Sequence, residues 1–225
     1  MQKQKIDFYL TLQNTYDNIE IAIFTQHDLI EKKTINKLES SKNLIPEIDA
    51  ILTKNNLKLE NLNFIAVNKG PGPFTTLRVV ITTVNALNFA TNIPLIGIDG
   101  LLALQEEFYN ESYKISVAIL NAYNNDVYYS IKSDDFNQEG WQNIDLFLSS
   151  LKSEFKDHKI RFIGNGVDIF KSQIIKTFDN LAEFINPNPQ NCSIEQIAKM
   201  AYKNWQNKEN ISKQIIPLYL KDAIK

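Results

Sequence analysis

Asn63-Phe64-Ile65-Ala66-Val67-Asn68-Lys69-Gly70-Pro71-Gly72-Pro73-Phe74-Thr75-Thr76-Leu77-Arg78 is the stretch on which the reading of this chain turns. Residues 63 to 68 form a brief apolar run that ends at a turn, the pattern of a buried strand. In the turn, Gly70 and Gly72 permit unusual backbone angles, Pro71 and Pro73 fix φ, and Thr75 or Thr76 is placed to cap a helix. A helical stretch follows, and a second apolar run, Ile93 to Ile98, comes after it. This is a βαβ unit, which implies a parallel strand pair and a right-handed crossover. Its loop presents backbone N–H groups at a helix N-terminus, an arrangement that suits a phosphate and serves equally as a rigid strand-to-helix connection.

Upstream, residues 6 to 12 and 19 to 24 are β-rich runs separated by the polar cluster Gln13 to Asn18, and Leu29 to Ile35 completes an antiparallel meander. Leu44, Ile45, Ile48, Ile51 and Leu52 recur at three and four, the spacing of an amphipathic helix. Downstream the order βββαβα returns in weaker form, as strands at 115–120 and 127–131, a helix near 146–155, a strand at 160–163 and a helix at 167–178. Pro187, Pro189 and Asn191 then make a linker, Ser193 stands at a helix N-cap position, and 195–205 has helical spacing before a closing run, Ile215 to Lys221. The expectation is an α/β protein of two related lobes, 1–105 and 106–225, with the last helix and strand free to pack back on the first lobe.

The helix that follows the loop, Thr75 to Ala90, carries one charge, Arg78, and is otherwise apolar or small on every side. A helix apolar all round is expected to be covered all round. Thr75, Val79, Thr82 or Thr83, Ala86 and Ala90 form a flat strip suited to close helix packing. The cover is either another protein or the chain's own second lobe.

Composition narrows the function classes. Lys plus Arg total 24 against 26 Asp plus Glu, a net charge of −2, so no global field draws the chain onto nucleic acid. Cys192 is the single cysteine, and no Cys or His cluster has metal-ligand spacing, so neither a disulfide nor a metal site is expected. No apolar stretch approaches the roughly 18 residues of a membrane helix or the roughly 7 to 15 of a signal peptide. A soluble cytoplasmic protein is the expected class.

The loop and helix resemble the GPGSFTGLR signature of the TsaB (YeaZ) family. The preceding Ala66-Val67 strand, the segment NIPLIGIDGLLAL from Asn92, and the terminal IPLYLKDA from Ile216 fall where that family has similar segments. The resemblance spans nearly the whole chain and is weaker through 105–190. It implies a two-lobed fold of the actin, sugar-kinase and Hsp70 type (ASKHA) and a dimerisation subunit that supports a catalytic paralogue, TsaD. With an ATPase, TsaE, such a complex adds threonylcarbamoyl to the adenosine beside the anticodon of tRNA. By that analogy the partner face, for TsaD or for a homodimer when the partner is absent, comprises Leu44, Ile45, Ile48, Leu52, Thr75, Arg78, Val79, Thr82, Thr83, Ala86 and Ala90. The loop residues Gly70, Pro71, Gly72, Phe74 and Thr75 would lie near a nucleotide. No cofactor is expected on the chain alone, and ATP or ADP is expected only at the interface of the complex.

Several residues depart from the pattern. Catalytic members of this fold need a carboxylate in the first hairpin turn to hold magnesium or orient water, and this chain has Gln13-Asn14-Thr15. The paired histidines of the catalytic relative are absent, since only His27 and His158 exist. Ser40 stands where a histidine is common, Asn121-Ala122-Tyr123 where Asp-Ala-Arg is common, and Pro73 and Thr76 replace the signature's Ser and Gly. Gly164-Asn165-Gly166 follows a strand and opens a helix, but a lone GxG is a weak dinucleotide signal and a tight turn suffices. The alternative is an enzyme, a degenerate ASKHA-type phosphotransferase or an acyl or carbamoyl transferase acting alone.

Overall fold

A computed structural model describes residues 6 to 134 and 136 to 221. In chain order the elements are β1 (Phe8–Asn14), β2 (Asn18–Thr25), β3 (Asp28–Asn36), α1 (Ser40–Lys54), β4 (Leu62–Asn68), α2 (Phe74–Thr91), β5 (Leu95–Ile98), α3 (Gly100–Glu107), β6 (Ile115–Asn121), β7 (Asp126–Ser133), β8 (Asn137–Asn143), α4 (Ile144–Glu154), β9 (Ile160–Ile163), α5 (Asn165–Phe178), β10 (Ala182–Phe184), α6 (Ile194–Asn207) and β11 (Ile211–Ser212). The described residues divide into two units, one from within 1–99 together with 194–218, the other from within 100–193 together with the described part of 219–225. Helix α3 lies wholly in the second unit, so the division falls at the start of this helix and not at its end.

The first unit holds a sheet in the order β11-β5-β4-β1-β2-β3. The β1–β2–β3 meander is antiparallel, with Leu10 opposite Ile23 and Leu12 opposite Ile21, while β1, β4 and β5 run parallel. Alternation along the strands sorts the two faces. Leu10, Leu12, Ile21, Ile65 and Val67 meet Leu44, Ile48 and Leu52 of α1 and Leu77, Val80, Ile81 and Val84 of α2 in one core. Tyr9, Phe64 and Ala66 are also fully buried, on the face that α6 covers. At roughly 25 cal/mol per Å2 of apolar surface, each such large buried side chain contributes about 1.5–3 kcal/mol.

The second unit repeats the plan as β10-β9-β6-β7-β8, with β6–β7–β8 antiparallel and β6, β9 and β10 parallel. Ile119, Val127 and Ile131 pack under Phe147 and Leu151 of α4 and Phe170, Ile174 and Phe178 of α5. The glycine pair is explained here. Gly164 has φ +100°, and a Cβ on Gly164 or Gly166 would lie 2.3 or 3.0 Å from the carbonyl oxygen of Ile119. Asn165 Oδ1 accepts from the Asn121 N–H, so this turn is a close helix-to-strand junction.

Three elements depart from expectation. Strand β8 reads NQEGWQN and is mostly exposed, so it carries no apolar alternation. The closing run 215–221 is not regular structure; it is held at Ile215, whose N–H donates to Asn85 Oδ1 and whose carbonyl accepts from Asn85 Nδ2. Residues 222 and 223 of the terminal block lie outside the described residues. Helix α2 begins at Phe74 with Pro73 as its N-cap and no side-chain cap, so Thr75 and Thr76 sit inside it; the Thr76 hydroxyl instead donates to the Pro73 carbonyl.

Candidate partner-binding face

Helix α2 is amphipathic in a way its composition hides. Thr76, Leu77, Val80, Ile81, Val84 and Asn88 point inward, and Thr75, Arg78, Thr82, Ala86 and Ala90 are exposed with Val79 and Thr83 half-buried beside them. The face is therefore open within the first unit, where the sequence led us to expect cover all round. Of its threonines, Thr83 and Thr91 are muted as polar groups, because the Thr83 hydroxyl donates to Val79 O and that of Thr91 to Leu87 O. The Arg78 guanidinium lies 3.8 Å from the centre of the Phe74 ring, which turns the one charge of the helix into a cover for an aromatic.

Two further apolar side chains complete the strip. Phe89 is 90% exposed, one position before Ala90 and three after Ala86, and Ile216, next to the clamped Ile215, is 73% exposed. Sequence reading missed Phe89 because the polar residues of this helix, Thr75, Thr76, Thr82, Thr83, Asn85 and Asn88 with Arg78, fall on both its faces and leave no period from which to choose one. Its i+3 spacing from Ala86 was the available signal.

The α1 side needs correction. Leu44, Ile48 and Leu52 are 1, 2 and 3% exposed and belong to the unit's own core, so they present no surface. Heptad-like spacing marks a buried face without saying what buries it, and here that is β2, β3 and α2. Ile45 is 59% exposed, and with Pro46, Leu57, Leu59, Leu87 and Thr91 it lines a groove of about 590 Å3.

The loop before α2 is rigid. Gly70 has φ +107°, and a Cβ there would lie 3.0 Å from Leu77 Cδ2 and 3.2 Å from Leu218 O. Its N–H donates to Asn68 Oδ1, Lys69 N–H to Ile98 O, and Leu218 N–H to Lys69 O. Gly70 and Pro71 are buried, whereas Phe74 and Thr75 are exposed. The Asn68 amide donates to Gln13 Oε1, and Gln13 Nε2 donates to Glu20 Oε2, a carboxylate that also pairs with Lys32 at 2.9 Å. Asn14, next in the turn, is 6% exposed and its Oδ1 has no hydrogen-bond partner among the described residues. A magnesium nucleotide does not fit at Gln13-Asn14-Thr15: these positions offer amides and a hydroxyl, Glu20 is paired with Lys32, and Asp17, exposed further along the turn, lies 3.6 Å from Lys37.

Elsewhere, among the described residues, no cluster of His, Cys, Asp and Glu is placed to hold a metal, and no helix is long and apolar enough to cross a membrane. His158 is exposed, and His27, also exposed, meets the Tyr202 ring edge-on at 4.9 Å. Ser40 is buried, its hydroxyl donating to Lys37 O at the start of α1.

The family model described as TsaD, tRNA N6-adenosine threonylcarbamoyltransferase, matches residues 34–224. A tRNA threonylcarbamoyladenosine biosynthesis protein TsaB of Buchnera aphidicola subsp. Baizongia pistaciae is 28% identical over 187 residues, 80% of this chain and 82% of that one. The protein of the same name from Haemophilus influenzae is 36% identical over 104 residues, 44% of each chain. Among solved structures, YeaZ from Pseudomonas aeruginosa superposes with a TM-score of 0.72 at 20% identity, covering 95% of this chain and all of that one. A Bacteroides thetaiotaomicron protein with an actin-like ATPase fold gives 0.50 at 8% identity, over 86% of this chain and 96% of that one. The fold is thus the two-lobed actin-like one.

Proposed function

This chain belongs to the TsaD family of tRNA N6-adenosine threonylcarbamoyltransferase, as a TsaB (YeaZ) protein of tRNA threonylcarbamoyladenosine biosynthesis, and we propose that its own part in that pathway is to bind and not to catalyse. The observation that carries this reading is the open apolar face of α2, with Phe89 at 90% exposure beside Ala86 and Ala90. Large exposed apolar patches mark protein–protein contact. The occupant in this reading is the catalytic paralogue TsaD in the cytoplasm, with TsaE and tRNA joining through the complex, and a second copy of this chain as substitute when TsaD is absent. Any ATP or ADP is then held at the interface of the complex. The start of the first turn supports the non-catalytic part, because Gln13-Asn14-Thr15 carry amides and a hydroxyl where a phosphoryl or acyl transfer on this fold would use a carboxylate.

Co-purification of this chain with TsaD from the same genome, followed by sizing, is the test. A heterodimer is expected, and Ala86→Glu is expected to weaken it by at least about a hundredfold, since a charge would be buried without a partner. Ala86 is exposed, so the variant should keep its fold, which circular dichroism checks. Wild-type binding by this variant would move the interface elsewhere; a lone species under all conditions would overturn the partner role. ATP turnover by the purified chain alone would overturn the non-catalytic part.

A further inference from the structure

On the face of the first sheet away from α1 and α2, five aromatic rings lie nearly parallel. Tyr9 stacks with Phe24 at 5.5 Å and 13°, with Phe64 at 4.4 Å and 14°, and with Tyr202 at 5.7 Å and 10°, and Phe64 stacks with Trp205 at 5.0 Å and 27°. The two rings contributed by α6, Tyr202 and Trp205, line a cavity of about 630 Å3 together with Asp7, Gln26, Gln206 and Lys208. Asp7 is half-buried, and its Oδ2 accepts from Trp205 Nε1 at 3.3 Å. Among the described residues no Lys or Arg comes within ion-pair distance of it, whereas the half-buried carboxylates Glu20, Glu31, Glu47, Asp126 and Glu183 are each paired with a lysine.

We propose that this cavity is a binding site for a planar cation of the guanidinium class. The walls are stacked aromatics, and the group that continues such a stack is flat. The edge carries a carboxylate that no cation of the described residues pairs with, fixed at one oxygen by an indole N–H, and a guanidinium matches both: its faces stack on aromatic rings and its in-plane N–H groups pair with a carboxylate. A compact ammonium satisfies the charge and leaves the walls unused. Burial, and after it the negative charge of Asp7, hold the Tyr202 phenol above its usual pKa, so the carboxylate's field reaches the wall itself. The guanidinium comes either from a small molecule or from an arginine side chain of a peptide, and the same contacts serve both.

The chain has two tryptophans, so Trp141→Phe leaves Trp205 as the single reporter. Titration of the full chain with N-acetyl-arginine amide at constant ionic strength is expected to change its fluorescence saturably, with at least tenfold weaker binding of N-acetyl-lysine amide. Asp7→Asn keeps an acceptor for the indole and is expected to weaken binding at least tenfold. Lys208→Glu, an exposed change at the mouth, is expected to tighten it several-fold. Free arginine binding as tightly as the blocked amide assigns the site to a small molecule; binding only of the blocked amide assigns it to a peptide. No saturation, equal binding of the lysine compound, or indifference to both Asp7→Asn and Lys208→Glu would overturn the proposal.

Discussion

Gly164 and Gly72 show how differently two glycines of similar appearance can be constrained. At Gly164 a Cβ would stand 2.3 Å from a backbone oxygen on a residue already at φ +100°, so Gly164→Ala is expected to cost about 3 kcal/mol or more of stability, read from urea unfolding. At Gly72 the obstacle is the tip of the Asn14 side chain at 3.1 Å, and φ is ordinary, so alanine there should cost less than about 1 kcal/mol. Nothing in the letters Gly-Asn-Gly separates a nucleotide loop from a helix-to-strand junction. Ile119, which decides the matter, is far away in sequence, and only pairing of β6 with β9 brings its carbonyl to the turn.

Elements were legible where burial imposed a period. The strand at 160–163 and helices α1, α4, α5 and α6 follow from apolar recurrence, because each buries one face. Strand β8 was not legible, being a polar edge whose only strand partner among the described residues is β7. The two helices of the candidate face fail in opposite ways. In α1 the period is clear and names core residues, and in α2 the spread of small polar residues over both faces hides an open one. The distinction is measurable: Ile48→Ala should lower stability by about 2–4 kcal/mol, whereas Phe89→Ser should change it by less than about 0.5 kcal/mol and still abolish the heterodimer.

For the whole molecule, the buried aromatic stack links folding to alkaline pH. Tyr9 is fully buried, its hydroxyl donates to Gln26 O at 2.7 Å, and burial raises its pKa well above the usual value of about 10. Above that pH the unfolded chain has lost the phenolic proton and the folded chain still holds it. The unfolded state then binds fewer protons, so stability falls as pH rises from about 10 towards the higher folded value. Melting temperatures from pH 9 to 11 should therefore drop more steeply in the wild type than in Tyr9→Phe. The return of residues 194–218 to the first unit also has a consequence for the order of synthesis. The ribosome releases β1 to β5 long before α6, so Tyr9 and Phe64 must wait uncovered while the whole of 100–193 is made. A nascent chain stopped at Ser193 is then the form of this protein that chaperones should hold most firmly, although nearly all of its letters have been translated.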